Sequence, residues 1–207
     1  MNPKDTVKIL DIDLYHETIL EREIENDVAK LYPDGVAFGL YVLLQEMDSN
    51  AEPLSPANIL VFTYDRNDKI GADGNHLIIT TKSPINAKVG DSKVESDLPQ
   101  ILNSKDIVAM IIRGKAKKPV FIYMNENQYE MRDAAKLWGK VTGESERMIR
   151  EEFHSEELEM AQIGPAGENM VRYSCIITMK NRANGRNGTG AVMGSKNLKA
   201  IVSSKAI

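Results

Sequence analysis

Cysteine occurs once in this chain, at Cys175, so no disulfide can close within it and no multi-cysteine metal site can form. Histidine is scarce as well: His16, His76 and His154 stand far apart, and none has a partner at the helical or strand spacing a metal site needs. No apolar run approaches the ~20 residues of a membrane span. The start, Met1-Asn2-Pro3-Lys4-Asp5, lacks the apolar core of a signal peptide. These absences lead us to expect a cytoplasmic protein without a membrane partner. An excess of positive charge is also missing. The net charge is −4, which gives no reason to expect nucleic acid as a partner. Low-complexity segments and obvious linkers are absent. What remains is a chain of 207 residues with ordinary apolar and charged fractions, long enough for one domain, 1–207, with a sizeable core.

The chain reads as short elements in sequence. Val7 to Leu14 largely alternates apolar and polar, the period of a half-buried strand. Glu17 to Tyr32 is charged, with Leu20, Ile24, Val28 and Leu31 at helical spacing, and predicts a surface helix. Asp34-Gly35 breaks it, and Val36 to Met47 predicts a buried helix. Ile59 to Tyr64 predicts a strand, Asp65 to Asn75 a loop, His76 to Lys82 a strand, and Val89 to Ser96 a loop. Leu98 to Leu102 suits one helical turn. Ile107 to Ile112 and Val120 to Met124 are strand-like. Asn125-Glu126-Asn127 turns the chain into Gln128 to Arg132, which suggests an antiparallel hairpin. Asp133 suits the cap of a short helix through Trp138. Thr142 opens a better helix that includes Met148, Ile149 and Phe153, with acid in its first turn. Leu158 to Ile163 predicts a strand, Gly164 to Asn169 a tight glycine turn, and Met170 to Lys180 a long strand. Together these predict a single α+β domain of antiparallel sheets with a few helices.

One stretch, Asn181 to Ile201, concentrates the unusual residues. It holds four glycines and four cations, with a strand expected to lead out over Leu198 to Ser203. Glycines let a backbone come close to a ligand with its N–H groups free to face an anion. Arg182 and Arg186 add forked donors suited to phosphate. The stretch is therefore either an anion cradle or a glycine-rich hairpin with a solvated basic edge. Gly188-Thr189-Gly190 with Gly194 has the wrong spacing for a dinucleotide fingerprint, and a strand is expected after it. Elsewhere the chemistry is bland. Glu151-Glu152 and Glu156-Glu157 read as a solvated helix end, and Cys175, among apolar neighbours, as buried and inert.

An internal duplication suggests itself. Ile78-Ile79-Thr80-Thr81-Lys82 is similar to Ile176-Ile177-Thr178-Met179-Lys180. Downstream, Gly90-Asp91-Ser92-Lys93 is similar to Met193-Gly194-Ser195-Lys196. Two related β-rich halves would bring His76 to Lys93 and Tyr173 to Lys196 to one groove between them.

Several motifs in order resemble the first domain of the tungsten-containing aldehyde:ferredoxin oxidoreductases, over nearly the whole chain. They are Leu54-Ser55-Pro56 with Asn58, Thr81-Lys82-Ser83-Pro84 and Arg113 to Val120. They continue with Arg132-Asp133-Ala134 ahead of Leu137-Trp138-Gly139-Lys140, then Ile163 to Asn169, and finally Ala191 to Ile201. In that family the domain is a base on which a tungsten bis-pterin cofactor lies, the metal being held by pterin dithiolenes. The resemblance implies that Arg182 and Ala183 contact the pterin phosphates and an associated magnesium, with Gly185 and Arg186 shaping the loop. It places His76 where the family has a phosphate-facing arginine and Lys93 at the start of the family's Asn-Ser-Gly-Gly.

The same resemblance shows departures. Glu95 brings a carboxylate to a position where backbone approaches the anionic cofactor. Pro33 to Gly39 stands in for a glycine-rich element, and Thr63 to Asp68 replaces a Gly-Pro-Leu-Thr-Gly loop. The family's iron–sulfur ligands and acid–base residues lie in later domains, so no iron–sulfur cluster is expected within this chain. The resemblance therefore implies an accessory or cofactor-binding subunit of an oxidoreductase, inactive alone. Its partner would be a chain carrying the missing domains, or a second copy in a homo-oligomer. The alternatives are a non-catalytic interaction module that has lost the pterin and, last, one half of a split enzyme.

Overall fold

The computed structural model describes residues 6–32, 35–65, 75–126 and 128–204, with the backbone alone at Lys180. The expected break at Asp34, most of the expected loop Asp65 to Asn75 and the turn residue Asn127 lie outside the described residues.

The first half runs β1 (Thr6–Asp13), β2 (Thr18–Glu25), α1 (Asn26–Leu31), α2 (Gly35–Glu46), β3 (Leu60–Tyr64), β4 (His76–Lys82), β5 (Val89–Glu95), α3 (Leu98–Ser104) and β6 (Ile107–Arg113). Its strands form one sheet in the order β2-β1-β6-β3-β4-β5. The second half runs β7 (Val120–Met124), β8 (Tyr129–Asp133), α4 (Thr142–Phe153), β9 (Leu158–Gln162), α5 (Pro165–Glu168) and β10 (Ile176–Thr178). A 3-10 turn (Met179–Asn181), β11 (Arg182–Asn184), α6 (Thr189–Ser195) and β12 (Leu198–Ser204) complete it. Its sheet has the order β11-β10-β9-β12-β7-β8.

Taken from its other edge, the second sheet repeats the first, each strand standing where the strand six places earlier stands. Each sheet has one parallel pair, β1 with β6 and β7 with β12, and the remaining pairs are antiparallel. Left-handed residues, Asp106 at φ 58° and Asn197 at φ 57°, precede β6 and β12. Their carbonyls accept from Lys8 N at 3.1 Å and Val120 N at 2.9 Å. The α+β domain of two related halves thus holds, with mixed rather than purely antiparallel sheets. Ile78 to Lys82 and Ile176 to Thr178 fall on counterpart strands. The second similarity does not survive: Gly90 to Lys93 lies in β5, whereas Met193 to Ser195 lies in α6.

The two sheets face each other across a shared core that includes Leu10, Phe62, Ile79, Ile122, Ile176 and Ile201. On the outer face of the first sheet, α2 packs Phe38, Val42 and Leu43 against Val61 and Ile111. On the outer face of the second, α4 packs Ile149 among Phe121, Met160 and Val202. Central strands such as β6 are covered on both faces, which is why Ile107 to Ile112 is apolar without alternation. The sheets also meet at both edges. At one, Tyr129 of β8 donates to Glu21 of β2 at 2.7 Å. At the other, β5 and β11 meet.

Several expected elements are corrected. Half of Glu17 to Tyr32 is the edge strand β2, followed by a short helix. Ile19 packs on the core while Leu20 is 63% exposed, a period of two that sparse apolar residues concealed. Its charges suit an edge strand. Val89 to Ser96 is not a loop but mostly strand β5, whose inward positions are Ser92 and Val94. Asp133 ends β8 and leads into a turn rather than a helix; Gly139, at φ 86°, closes that turn. Gly164 to Asn169 contains one helical turn. Of Met170 to Lys180 only Ile176–Thr178 is strand, because Met170 takes a left-handed φ of 54° and the chain turns again before β10.

The glycine-rich stretch is corrected as well. Thr189–Ser195 is a helix, α6, buried at every residue. Its glycines make it a poor helix by propensity, so tertiary burial holds it. Among the described residues, no helix is long and apolar enough to cross a membrane.

Candidate functional site

The junction of β5 with β11 brings the predicted site residues into one region. Two polar contacts lock it, one buried and one partly buried. Asn184 Nδ2 donates to Ser92 O at 2.9 Å, and Ser92 Oγ donates to Gly185 O at 2.7 Å. Thr189 Oγ1 donates to Asn184 Oδ1 at 3.0 Å, tying the start of α6 to the same asparagine. Asn184 is fully buried. Asn184→Ala should therefore leave Ser92 O without its donor and cost about 2 kcal/mol. Urea denaturation of the variant checks this, and an unchanged midpoint would remove Asn184 as the lock.

Arg182, on β11, is half-buried, and its guanidinium lies 2.6 Å from the Glu95 carboxylate of β5. Thr178 Oγ1 holds the Glu95 carbonyl at 2.9 Å. Ala183 is exposed beside Arg182, and Gly185 is half-buried with its carbonyl engaged. Arg186 is exposed and left-handed at φ 75°. His76 stands directly opposite Glu95 in the β4–β5 register, so the two share a face. Lys93, on that same face, pairs with Asp65 at 2.8 Å, and a second oxygen of Asp65 accepts from Gly35 N at the start of α2 at 2.9 Å. The structure thus gathers Arg182, Ala183, Gly185 and Arg186 with Glu95 and His76. Lys93 faces the first turn of α2.

The electrostatics differ from those of an anion cradle. Arg182 lines a cavity of about 690 Å³ beneath the junction. Six carboxylates (Glu95, Asp97, Glu146, Glu156, Glu157 and Glu159) line it against only two guanidiniums, Arg150 and Arg182. Arg150 is itself paired with Glu146 at 3.1 Å. Glu159 is buried and accepts from Ser96 Oγ at 2.8 Å and from Asp97 N at 3.2 Å. The two best-placed cations of the predicted cradle, Arg182 and Lys93, are each engaged by a carboxylate of the chain itself. A doubly charged phosphate at Arg182 would have to enter a negative field within one Debye length of several acids. These residues do not fit the phosphates of a pterin cofactor.

Sequence reasoning placed Glu95 near the site but not its pairing with Arg182. That pairing depends on which edges of two sheets meet, which no local pattern reports. Glu156-Glu157 reads as a solvated helix end, yet both residues line the cavity with Glu146 of α4 and Glu159 of β9. Two buried lysines also gave no signal in the sequence. Lys196 Nζ donates to Asn58 O and to Gly114 O, the latter at 3.1 Å, and burial pushes its pKa down to about 7. Lys199 Nζ pairs with Glu168 and donates to Lys140 O at 2.9 Å. Its pKa is lowered by burial, against the pull of Glu168. Lys196 ties the second half to the first, Lys199 fastens the second half internally, and neither touches the junction's polar groups. Cys175 precedes β10 and is half-buried. Burial raises its thiol, which suits an inert side chain. Among the described residues, no group of three or more His, Cys, Asp or Glu is arranged to hold a metal ion.

Comparison with known proteins agrees with the fold. The family described as aldehyde ferredoxin oxidoreductase, N-terminal domain, matches residues 9–205. The tungsten-containing aldehyde ferredoxin oxidoreductase of Pyrococcus horikoshii is 42% identical over 196 residues, which is 94% of this chain and 32% of that protein. The aliphatic sulfonate oxidoreductase, WOR-like subunit, of Pyrococcus furiosus is 36% identical over 94% of this chain and 34% of its own length. Among solved structures, the active site complex BamBC of benzoyl coenzyme A reductase with 1,5-dienoyl-CoA contains a similar chain. It superposes with a TM-score of 0.90 at 30% identity, covering 96% of this chain and 31% of that one. The present chain spans about a third of the length of these relatives.

Proposed function

The chain belongs to the aldehyde ferredoxin oxidoreductase family through its N-terminal domain, and from that premise we propose that it serves as an accessory domain or subunit of an oxidoreductase. Its task is to provide the two-sheet base on which the remaining parts of such an enzyme assemble, without oxidising a substrate by itself. The observation that carries this reading is coverage: 94% of the chain matches 32% of the aldehyde ferredoxin oxidoreductase of Pyrococcus horikoshii. A base domain of that proportion needs a partner surface for everything else, supplied by another chain or by further domains.

Tungsten stands in the relatives' names, and a tungsten bis-pterin with magnesium is the finer reading that the resemblance implies. The carboxylate-lined junction counts against it here. The reading favoured by the charge distribution is a base that keeps the fold and has given up the cofactor.

Two results would test the accessory role. Purified alone, the chain is expected to give no aldehyde-dependent reduction of a low-potential dye. Purified from its own host, it is expected to elute with an oxidoreductase chain rich in cysteine ligands. Aldehyde turnover by the isolated chain would contradict the proposal.

A further inference from the structure

We infer that Glu95 is a built-in counter-ion: it occupies the position at Arg182 that an oxyanion would otherwise take and closes the β5–β11 junction to phosphate-bearing ligands. This deepens the proposed function, since it rests on the reading that the domain keeps its fold without the cofactor.

The geometry carries the inference. Glu95 Oε1 lies 2.6 Å from Arg182 Nη2, a close ion pair. The backbone on both sides is fixed. Thr178 Oγ1 donates to Glu95 O at 2.9 Å, and Asn184, two residues beyond Arg182, is anchored to Ser92 O at 2.9 Å. The carboxylate therefore sits opposite the guanidinium because side-chain-to-backbone hydrogen bonds fix the two facing sheet edges. Of the acids lining this cavity Glu95 is the one paired with Arg182, while Glu159 is already engaged by Ser96 Oγ and Asp97 N. A similar arrangement stands at the first turn of α2, where Asp65 takes both Lys93 and Gly35 N. At both places a side-chain carboxylate stands where a bound anion would find its donors.

The pair is partly solvated, with Arg182 side-chain exposure of 32% and Glu95 of 47%, so the substitution Glu95→Gln should leave the fold intact while removing one charge. The test is a titration of the full chain with inorganic pyrophosphate, followed by backbone amide NMR shifts. The wild type is expected to show no saturable shift in the Arg182–Asn187 loop. E95Q is expected to show saturable shifts confined to that loop, with binding at least about tenfold tighter than any wild-type response. The double variant E95Q/R182Q should lose them. Saturable wild-type binding at this loop would overturn the inference. So would a folded E95Q that stays silent, or binding that survives in the double variant. Pyrophosphate needs neither partner nor turnover, so failure here leaves the accessory role standing, and failure of that role leaves this titration interpretable.

Discussion

Gly194→Ala is expected to destabilise the domain by about 3 kcal/mol or more, because the crossing of α5 and α6 has no room for a methyl group. A Cβ at Gly194 would lie 1.9 Å from the Gly167 carbonyl oxygen and 2.6 Å from its carbon. Both are backbone atoms and cannot rotate away. The two helices would have to separate, and α6 carries Val192 and Met193 of the inter-sheet core. A domain of this size should then lose roughly 10 °C in Tm. Gly143, in the first turn of α4, is the control, since a Cβ there would meet nothing within 4 Å. Gly143→Ala should be neutral or stabilise by up to ~1 kcal/mol. Parallel thermal and urea melts decide. Equal midpoints for the two variants would show that the crossing is looser than described.

Lys196 should give the domain a stability that rises with pH above neutrality. Its ammonium is fully buried, and its pKa falls from 10.5 to about 7 in the folded chain, first through burial and then through the nearby charge of Arg113. Below about pH 7 the lysine is charged in both states, and the cost of burying that charge is present in full. Between about 7 and 10.5 the unfolded chain holds a proton that the folded chain has released. Stability therefore increases as pH rises through that window, by at most about 1.4 kcal/mol per pH unit for one group. Lys196→Met should abolish this contribution. It should also cost about 1–3 kcal/mol for each of the two carbonyls, Asn58 O and Gly114 O, left without their donor. Denaturation between pH 6.5 and 9.5 checks both parts. A wild-type slope that persists in the variant would assign the titration to another group, with Lys199 the next candidate.

How much of the fold and site is legible in the sequence follows from where each signal resides. The buried helix, the hairpin of β7 with β8 and the central strands are readable because their apolar periods are long and local. The repeat of Ile78 to Lys82 at Ile176 locates counterpart strands correctly, though β10 is only three residues long. Edge strands are the main loss. β2 and β5 carry charges outward and small or few apolar residues inward, so their period of two is faint. The helix α6 is hidden because glycine positions in and beside it are fixed by contact with other segments, as at Gly188 and Gly194, and not by helix propensity. The candidate site residues come from the resemblance, and the structure places most of them in one region. Their charge environment is hidden, since the partners of Arg182 and Lys93 are Glu95 and Asp65, 87 and 28 positions away in the chain.

The most direct measurement is the tungsten and molybdenum content per polypeptide of this chain purified from its own host. Cations already neutralised by Glu95 at the junction and by Asp65 at the first turn of α2 predict neither metal in stoichiometric amount. About one metal per chain or per dimer would contradict that prediction, and would mean that the cofactor overcomes the carboxylates lining the β5–β11 junction.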